Sequence, residues 1–236
     1  NVYLTNKKII IVVETRVCIA ALTNGDIGHT KNTYNNEKGV CKYSDKNDSL
    51  IVATLGTRRG EVSVWFLTSD KHTTIQAHQN NIVAIAINDD GTLIATASES
   101  GTNIHVYNTE TGEMKYQLRR GTSSAEIYDI CFDKNSKQLA CVSNTGTVHI
   151  WDLTNNDEAN TNKKSMLASI GGAIQYFDSV WSREQITIGD TSKMICSFDG
   201  DDVLHIATYS DNYFRISGKD GKYDQVKRST MYTNQK

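Results

Sequence analysis

IVAIAINDDGTLIATASESGTNIHVYN, residues Ile82 to Asn108, lies over IYDICFDKNSKQLACVSNTGTVHIWD, residues Ile127 to Asp152, once a single inserted residue is allowed. The columns pair like with like: Ile85 with Ile130, Ile94 with Leu139, Ser98 with Ser143, Gly101 with Gly146 and Thr102 with Thr147. His105 then falls on His149, and Tyr107 on Trp151. Upstream, SLIVATLGTRRGEVSVWFL (Ser49 to Leu67) repeats the plan with Ser63 in the histidine column. Each copy reads as a short apolar strand, a turn of Asp, Asn and Gly, a strand of small residues, a Gly-containing turn and an alternating strand. Helical periodicity is missing, so the copies are strand–turn–strand units.

A repeat of about 45 residues closed by an aromatic on its third strand indicates a β-propeller blade of the WD-repeat type. IWD, at Ile150 to Asp152, is the nearest approach to the WD dipeptide. KKIIIVVETRVCIAAL (from Lys7) and KMICSFDGDDVLHIATYSDNYFRIS (from Lys193) read as two further, degenerate blades. The expected fold is therefore all-β, a single WD-repeat β-propeller domain over residues 1–236 with about five blades at 1–38, 39–80, 81–121, 122–188 and 189–236. Leu93 to Ala97 and Leu139 to Val142 are its expected buried middle strands. Residues 154–180 interrupt the pattern with polar TNNDEANTNKK, then apolar SMLASIGGAIQYF. An interruption of that length points to a functional or disordered loop.

With 38% hydrophobic and 22% charged residues, the 236-residue chain can bury a real core. Its formal net charge of -2 gives no global field to draw it onto nucleic acid, so an anion site has to be local. The longest apolar run, Ile9 to Val13, is too short to cross a bilayer, and no signal peptide is visible. The five cysteines, Cys18, Cys41, Cys131, Cys141 and Cys196, form no C-x-x-C pair and read as free thiols in strands, in a reducing compartment. Metal-spaced His/Cys clusters, a phosphate-cradling glycine loop and a G-x-S-x-G elbow are all missing, so no enzyme, metal or cofactor is expected.

QLRRG, Gln117 to Gly121, puts two arginines side by side at the end of a strand. Successive strand side chains point to opposite faces, so Arg119 and Arg120 face apart and serve two sites. On a blade edge, replacing either is expected to cost no more than about half a kcal/mol of stability. TRRG, Thr57 to Gly60, repeats the string inside a turn and reads as solvent-exposed.

The QLRRG strand end followed by Thr122, a blade ending TVHIW and a later YFDSVWS together resemble the PROPPIN family, seven-bladed propellers that bind phosphoinositides in autophagy and endolysosomal traffic. The resemblance runs from about Lys7 to Tyr232 and implies blades three to seven. Leu118 stands where the family has Phe, and His105 where many members have Arg. The resemblance implies a first lipid pocket of Arg119, His78, Ser98, Ser100, Thr102 and His105. It implies a second of Arg120, Thr122, Ser123, Ser143, Thr145, Thr147 and His149. An arginine forks onto phosphate with two charge-assisted bonds, and hydroxyls donate to the remaining oxygens. Histidine adds positive charge when a phosphate raises its pKa.

The same resemblance implies that Ile170, Ile174, Tyr176 and Phe177 of the long loop insert shallowly into a membrane. The implied function is a phosphoinositide-binding peripheral membrane adaptor for phosphatidylinositol 3-phosphate and/or 3,5-bisphosphate. It would be cytoplasmic and attached to autophagosomal precursor, endosomal or vacuolar membranes, with autophagy-related protein partners and no nucleic acid. The alternative is a WD-repeat protein-interaction scaffold that binds no lipid.

Overall fold

Strands that are apolar on both faces need a sheet packed against each face. The computed structural model, which describes residues 1–46, 49–154, 180–200, 203–219 and 222–231, meets that need with five sheets in chain order around a common axis. The first sheet comprises β1 (Val2–Leu4), β2 (Lys8–Val13), β3 (Arg16–Ala21) and β4 (Ile27–Asn32). The second comprises β5 (Cys41–Lys46), β6 (Ser49–Leu55), β7 (Glu61–Phe66) and β8 (Lys71–Gln76). The third is built on β9 (Ile82–Ile87), β10 (Leu93–Ser98), β11 (Asn103–Asn108) and β12 (Met114–Arg119). The fourth begins with β13 (Ile127–Phe132), β14 (Gln138–Ser143) and β15 (Thr147–Asp152). The chain then returns through β16 (Val180–Trp181), which joins the third sheet, before β17 (Glu184–Thr187) completes the fourth. The fifth is β18 (Met194–Phe198), β19 (Leu204–Thr208), β20 (Asn212–Lys219) and β21 (Lys222–Thr230). The described residues contain no helix. The fold is a β-propeller arc of about five blades.

Each junction between neighbouring blades has its own core. Val17 and Ile19 of the first blade meet Val52 and Trp65 of the second. Ala53 and Val64 of the second meet Ile85, Ile94 and Tyr107 of the third. Ala95, Val106 and Leu118 of the third meet Leu139, Cys141 and Trp151 of the fourth. Ala140 and Ile150 of the fourth meet Leu204, Ile206 and Phe214 of the fifth. Ile94 and Ala95 are consecutive yet sit in different cores, as do Leu139 and Ala140, because the pleat sends alternate side chains to opposite faces. The middle strands are buried, and alanines there let large neighbours such as the fully buried Trp151 interleave. Trp151 keeps its polar atom satisfied, with Nε1 donating to Val180 O at 3.2 Å.

At the axis, Lys42 Nζ approaches Asp129 Oδ1 at 3.4 Å, and Asp129 Oδ2 accepts the Cys196 N–H at 3.1 Å, tying the second, fourth and fifth blades together. A cavity of about 590 Å³ follows the inner strands there and lies apart from the arginine pair. All five cysteines are free and lie in strands, and burial pushes the Cys41 thiol up to about 12.

Candidate functional site

β12 is paired with β11 so that Asn103 stands opposite Arg119, Ile104 opposite Leu118 and His105 opposite Gln117. Directly opposed residues share a face of the sheet. Leu118 and Ile104 belong to the core shared with the fourth blade, so Arg119, Gln117, Asn103 and His105 look the other way, toward the second. Arg120, one residue on, turns to the fourth-blade side. Its Nε donates to Gly101 O at 2.6 Å and its Nη2 to Ser123 O, and its charge acts on Cys141 and His149 of the fourth blade. The two guanidinium groups therefore address two different grooves.

Both arginines are nearly buried, at 6% and 7% exposure, so the expected cost of about half a kcal/mol for replacing either, which is that of a surface charge, is too low. Arg119 is covered by β16. It runs parallel to β12, pairs Trp181 with Arg119, and places the Arg119 guanidinium 5.5 Å from the indole centroid. Val180 and Trp181, which the sequence boundaries assign to the fourth blade, are thus part of the third sheet. Among the described residues, Arg120 is held by carbonyl oxygens and lies within ion-pair distance of no carboxylate.

On the Arg119 side, the His78 and His105 rings stack at 4.4 Å with 7° between their planes. His78 Nε2 lies 3.0 Å from Thr96 Oγ1 and 3.2 Å from Thr96 O. His105 Nδ1 lies 2.8 Å from Ala77 O, and its Nε2 is buried without a protein partner. Ser98 Oγ and Ser100 Oγ are bonded to each other at 3.0 Å. Thr102 is the exception in this group, since its carbonyl accepts the Arg120 N–H at 2.8 Å.

The Arg120 side repeats the arrangement one blade on. Ser143 Oγ and Thr145 Oγ1 are bonded at 2.9 Å. His149 stacks near Trp151, with Nδ1 3.1 Å from Ser182 Oγ. Thr147 is half-buried opposite Thr187, and Thr122 and Ser123 are exposed in the connection that follows Arg120.

Burial pushes the His78 ring down to about 3 and His149 to about 4, with a further contribution to His149 from the Arg120 charge. His105 is lowered for the same reason, burial. Without a ligand the His78 and His149 rings are therefore neutral at pH 7, so any histidine charge depends on a phosphate that raises their pKa.

Thr96, Asn103, Gln117, Trp181 and Ser182 complete the two sites and were not singled out from sequence. Stepping back by two from Ser98 along β10 reaches Thr96, so that residue had a signal. Trp181 and Ser182 arrive from beyond the long loop; they close the YFDSVWS motif, but nothing in the sequence places them against the third sheet. Ile170, Ile174, Tyr176 and Phe177 lie outside the described residues. Arg58 and Arg59 of the TRRG string are exposed, with Arg58 Nε on Glu61 Oε2 at 2.8 Å. No group of three or more His, Cys, Asp or Glu suited to a metal occurs among the described residues.

The hairpin that holds Arg120 depends on Gly101, whose φ is +61° and whose Cβ, if it had one, would lie 1.9 Å from Ala125 O. Gly101→Ala is expected to cost at least about 1–2 kcal/mol from the left-handed backbone alone. A lowered urea midpoint would register it, and an unchanged midpoint would refute this account of the hairpin.

The PROPPIN family profile matches residues 1–185. Autophagy-related protein 18 of Dictyostelium discoideum is 34% identical over 154 residues, covering 65% of this chain and 41% of that protein. SVP1-like protein 2 of Pichia angusta is 31% identical over 192 residues, covering 77% of this chain and 53% of that protein. The chain spans about half the length of these curated relatives. Among solved structures, Kluyveromyces lactis Hsv2 superposes with a TM-score of 0.76 at 22% identity, over 98% of this chain and 74% of that one. The complex of KlAtg21 with the coiled-coil of AgAtg16 gives 0.71 at 24% identity, over 98% of this chain and 70% of that one. At such identities the structures establish the fold.

Proposed function

The chain belongs to the PROPPIN family, whose curated relatives matched here include autophagy-related proteins, and on that premise we propose that it is a phosphoinositide-binding peripheral membrane adaptor. The ligands are phosphatidylinositol 3-phosphate and/or 3,5-bisphosphate, taken one headgroup to each side of the third blade. One observation carries this reading: adjacent arginines of one blade point to opposite faces, and the turns of the third and fourth blades each carry a pair of hydroxyls bonded to one another. In each groove a guanidinium can fork onto a phosphate while the hydroxyl pair reorients to donate to the oxygens left over.

Two weak headgroup contacts and the apolar half of the long loop reinforce one another, because each later contact forms at high effective concentration. Autophagosomal precursor, endosomal or vacuolar membranes and autophagy-related protein partners follow from the same reading. So does the absence of catalysis. The competing reading is a protein-interaction scaffold that binds no lipid. KlAtg21, a structural neighbour, is in complex with the coiled-coil of AgAtg16.

Flotation with phosphatidylcholine vesicles decides between them. The chain is expected to float only when phosphatidylinositol 3-phosphate or 3,5-bisphosphate is present, and no flotation with either lipid leaves the scaffold. Changing Ile170, Ile174 and Phe177 together to Asp is expected to reduce flotation while soluble inositol phosphate still binds. Equal loss of both would give those residues to the fold instead.

A further inference from the structure

The turn between the second and third strands recurs in the last three blades with the same chemistry. Ser98, Ser100, Gly101 and Thr102 of the third blade correspond to Ser143, Thr145, Gly146 and Thr147 of the fourth, and to Thr208, Ser210, Asp211 and Asn212 of the fifth. The backbone agrees, with φ of +61° at Gly101, +67° at Gly146 and +61° at Asp211. The side chains agree too: the hydroxyl pairs are bonded at 3.0, 2.9 and 3.0 Å. Asp211 holds a conformation that favours glycine, which marks the turn geometry as imposed by its surroundings.

The fifth blade also has its own arginine on the outer strand. Arg228 of β21 pairs with Phe214, and its Nε donates to Asn212 Oδ1 at 3.0 Å. The difference lies in what the hydroxyls point at. Among the described residues, no carboxylate oxygen is a partner of the hydroxyl pair in the third or fourth blade. In the fifth, Asp190 Oδ2 accepts from Thr208 Oγ1 at 2.9 Å, from Asn212 Nδ2 at 2.8 Å and from Ser210 Oγ. Its Oδ1 accepts the Ser192 N–H at 2.9 Å and Ser192 Oγ at 2.7 Å. Burial alone would raise this carboxyl, but the donors from Ser210, Ser192 and Asn212 outweigh it and hold the group well below the usual carboxylate range.

We propose that the fifth blade carries a third oxyanion-binding nest, that the Asp190 carboxylate occupies it as an internal ligand, and that Asp190 thereby sets how many phosphate groups the arc takes up. A carboxylate and a phosphate present the same acceptor oxygens to hydroxyl, amide and backbone donors. Three donors from the fifth blade converge on one Asp190 oxygen, which is the geometry an external phosphate oxygen would meet if that carboxylate were gone. The nest itself rests on the fifth blade alone. The number of sites it adds to rests on the function proposed above for Arg119 and Arg120.

Asp190→Ala opens the nest, whereas Asp190→Asn keeps it filled with an amide. Isothermal titration with inositol 1,3-bisphosphate is expected to count two sites in the parent and in Asp190→Asn, and three in Asp190→Ala. None in the parent but one in Asp190→Ala would keep the nest and remove the arginine sites. Two in both would keep the arginine sites and overturn the nest. Vesicles bearing phosphatidylinositol 3-phosphate, compared with inorganic phosphate, separate a lipid headgroup from a free anion as the occupant. Since Asp190 also joins two blades, the melting temperature of Asp190→Ala is read in phosphate and in chloride at equal ionic strength. A stabilisation by phosphate of several degrees beyond that of the parent supports the nest. An equal response, or failure to fold even in phosphate, overturns it.

Discussion

Arg119→Thr combined with Arg120→Thr is expected to abolish phosphoinositide-dependent flotation, while each single change leaves weakened binding with one headgroup site. The expectation follows from two guanidinium groups on opposite faces of one blade, so that losing both removes the charge from both grooves and avidity fails. The singles differ in their cost to the fold. Arg120→Thr leaves the carbonyls of Gly101 and Ser123 without their donor, at about 1–3 kcal/mol if water does not replace it. Arg119→Thr removes its contact with the Trp181 ring, a contact of about 0.5–2 kcal/mol. Arg120→Lys separates site from fold: it retains charge without the planar fork, so binding is expected to fall even where the melting temperature is kept. Titration with a soluble headgroup gives the count, and added salt should weaken binding because the contacts are charge-assisted. A single site in the parent, or undiminished flotation of the double variant, would sink the two-groove reading.

Lowering the pH from 7 to 5 is expected to cost the fold about 4 kcal/mol through His78 and His149 alone. In the folded chain these rings titrate at about 3 and about 4, against 6.5 for an unburied histidine. Between those values the unfolded chain binds protons that the folded chain refuses. Stability is therefore full above pH 6.5 and declines as the pH falls toward the folded values, by about 2 kcal/mol per ring at pH 5. His105, lowered by burial as well, pushes in the same direction. Asp190 adds a later loss: its folded pKa is depressed, so its contribution holds above the normal carboxylate range and fades below it. Urea midpoints at pH 7, 6 and 5 test this, and a flat series would refute the buried neutral rings. Headgroup binding should show the opposite sign. A phosphate beside His149 raises that ring's pKa, so binding takes up protons and tightens from pH 7.5 to 6 even as the fold weakens.

The repeat was legible because the middle strands of the second, third and fourth blades are buried on both faces and so have narrow chemical requirements. Ala95 and Ala140, Ile94 and Leu139, Tyr107 and Trp151 fall in register because each fills a comparable space between sheets. Outer strands carry less information. β4 and β8 are largely exposed, so many polar residues suffice there and no column marks them. The opposed directions of Arg119 and Arg120 followed from the two-residue strand period. The burial of Arg119 did not, because its guanidinium is covered by Trp181, sixty-two positions later in the chain. Nor did the neutrality of His78 and His149, which comes from the surroundings of the rings rather than from their neighbours in sequence.

The attachment of β16 has a mechanical side. β16 is the first described strand after residue 154, so tension reaching Val180 from its N-terminal side arrives first at this two-residue strand. There it meets Leu118 and Arg119 of the third blade and, through Val180 O, Trp151 of the fourth, before the chain reaches Glu184. Because β16 and β12 run parallel, tension along the chain loads their hydrogen bonds in shear, and two paired positions are a short anchorage. Such a strand yields at low force without disturbing the four-stranded sheets beneath it. When it yields, Trp181 leaves Arg119, and the guanidinium loses the ring that covers it.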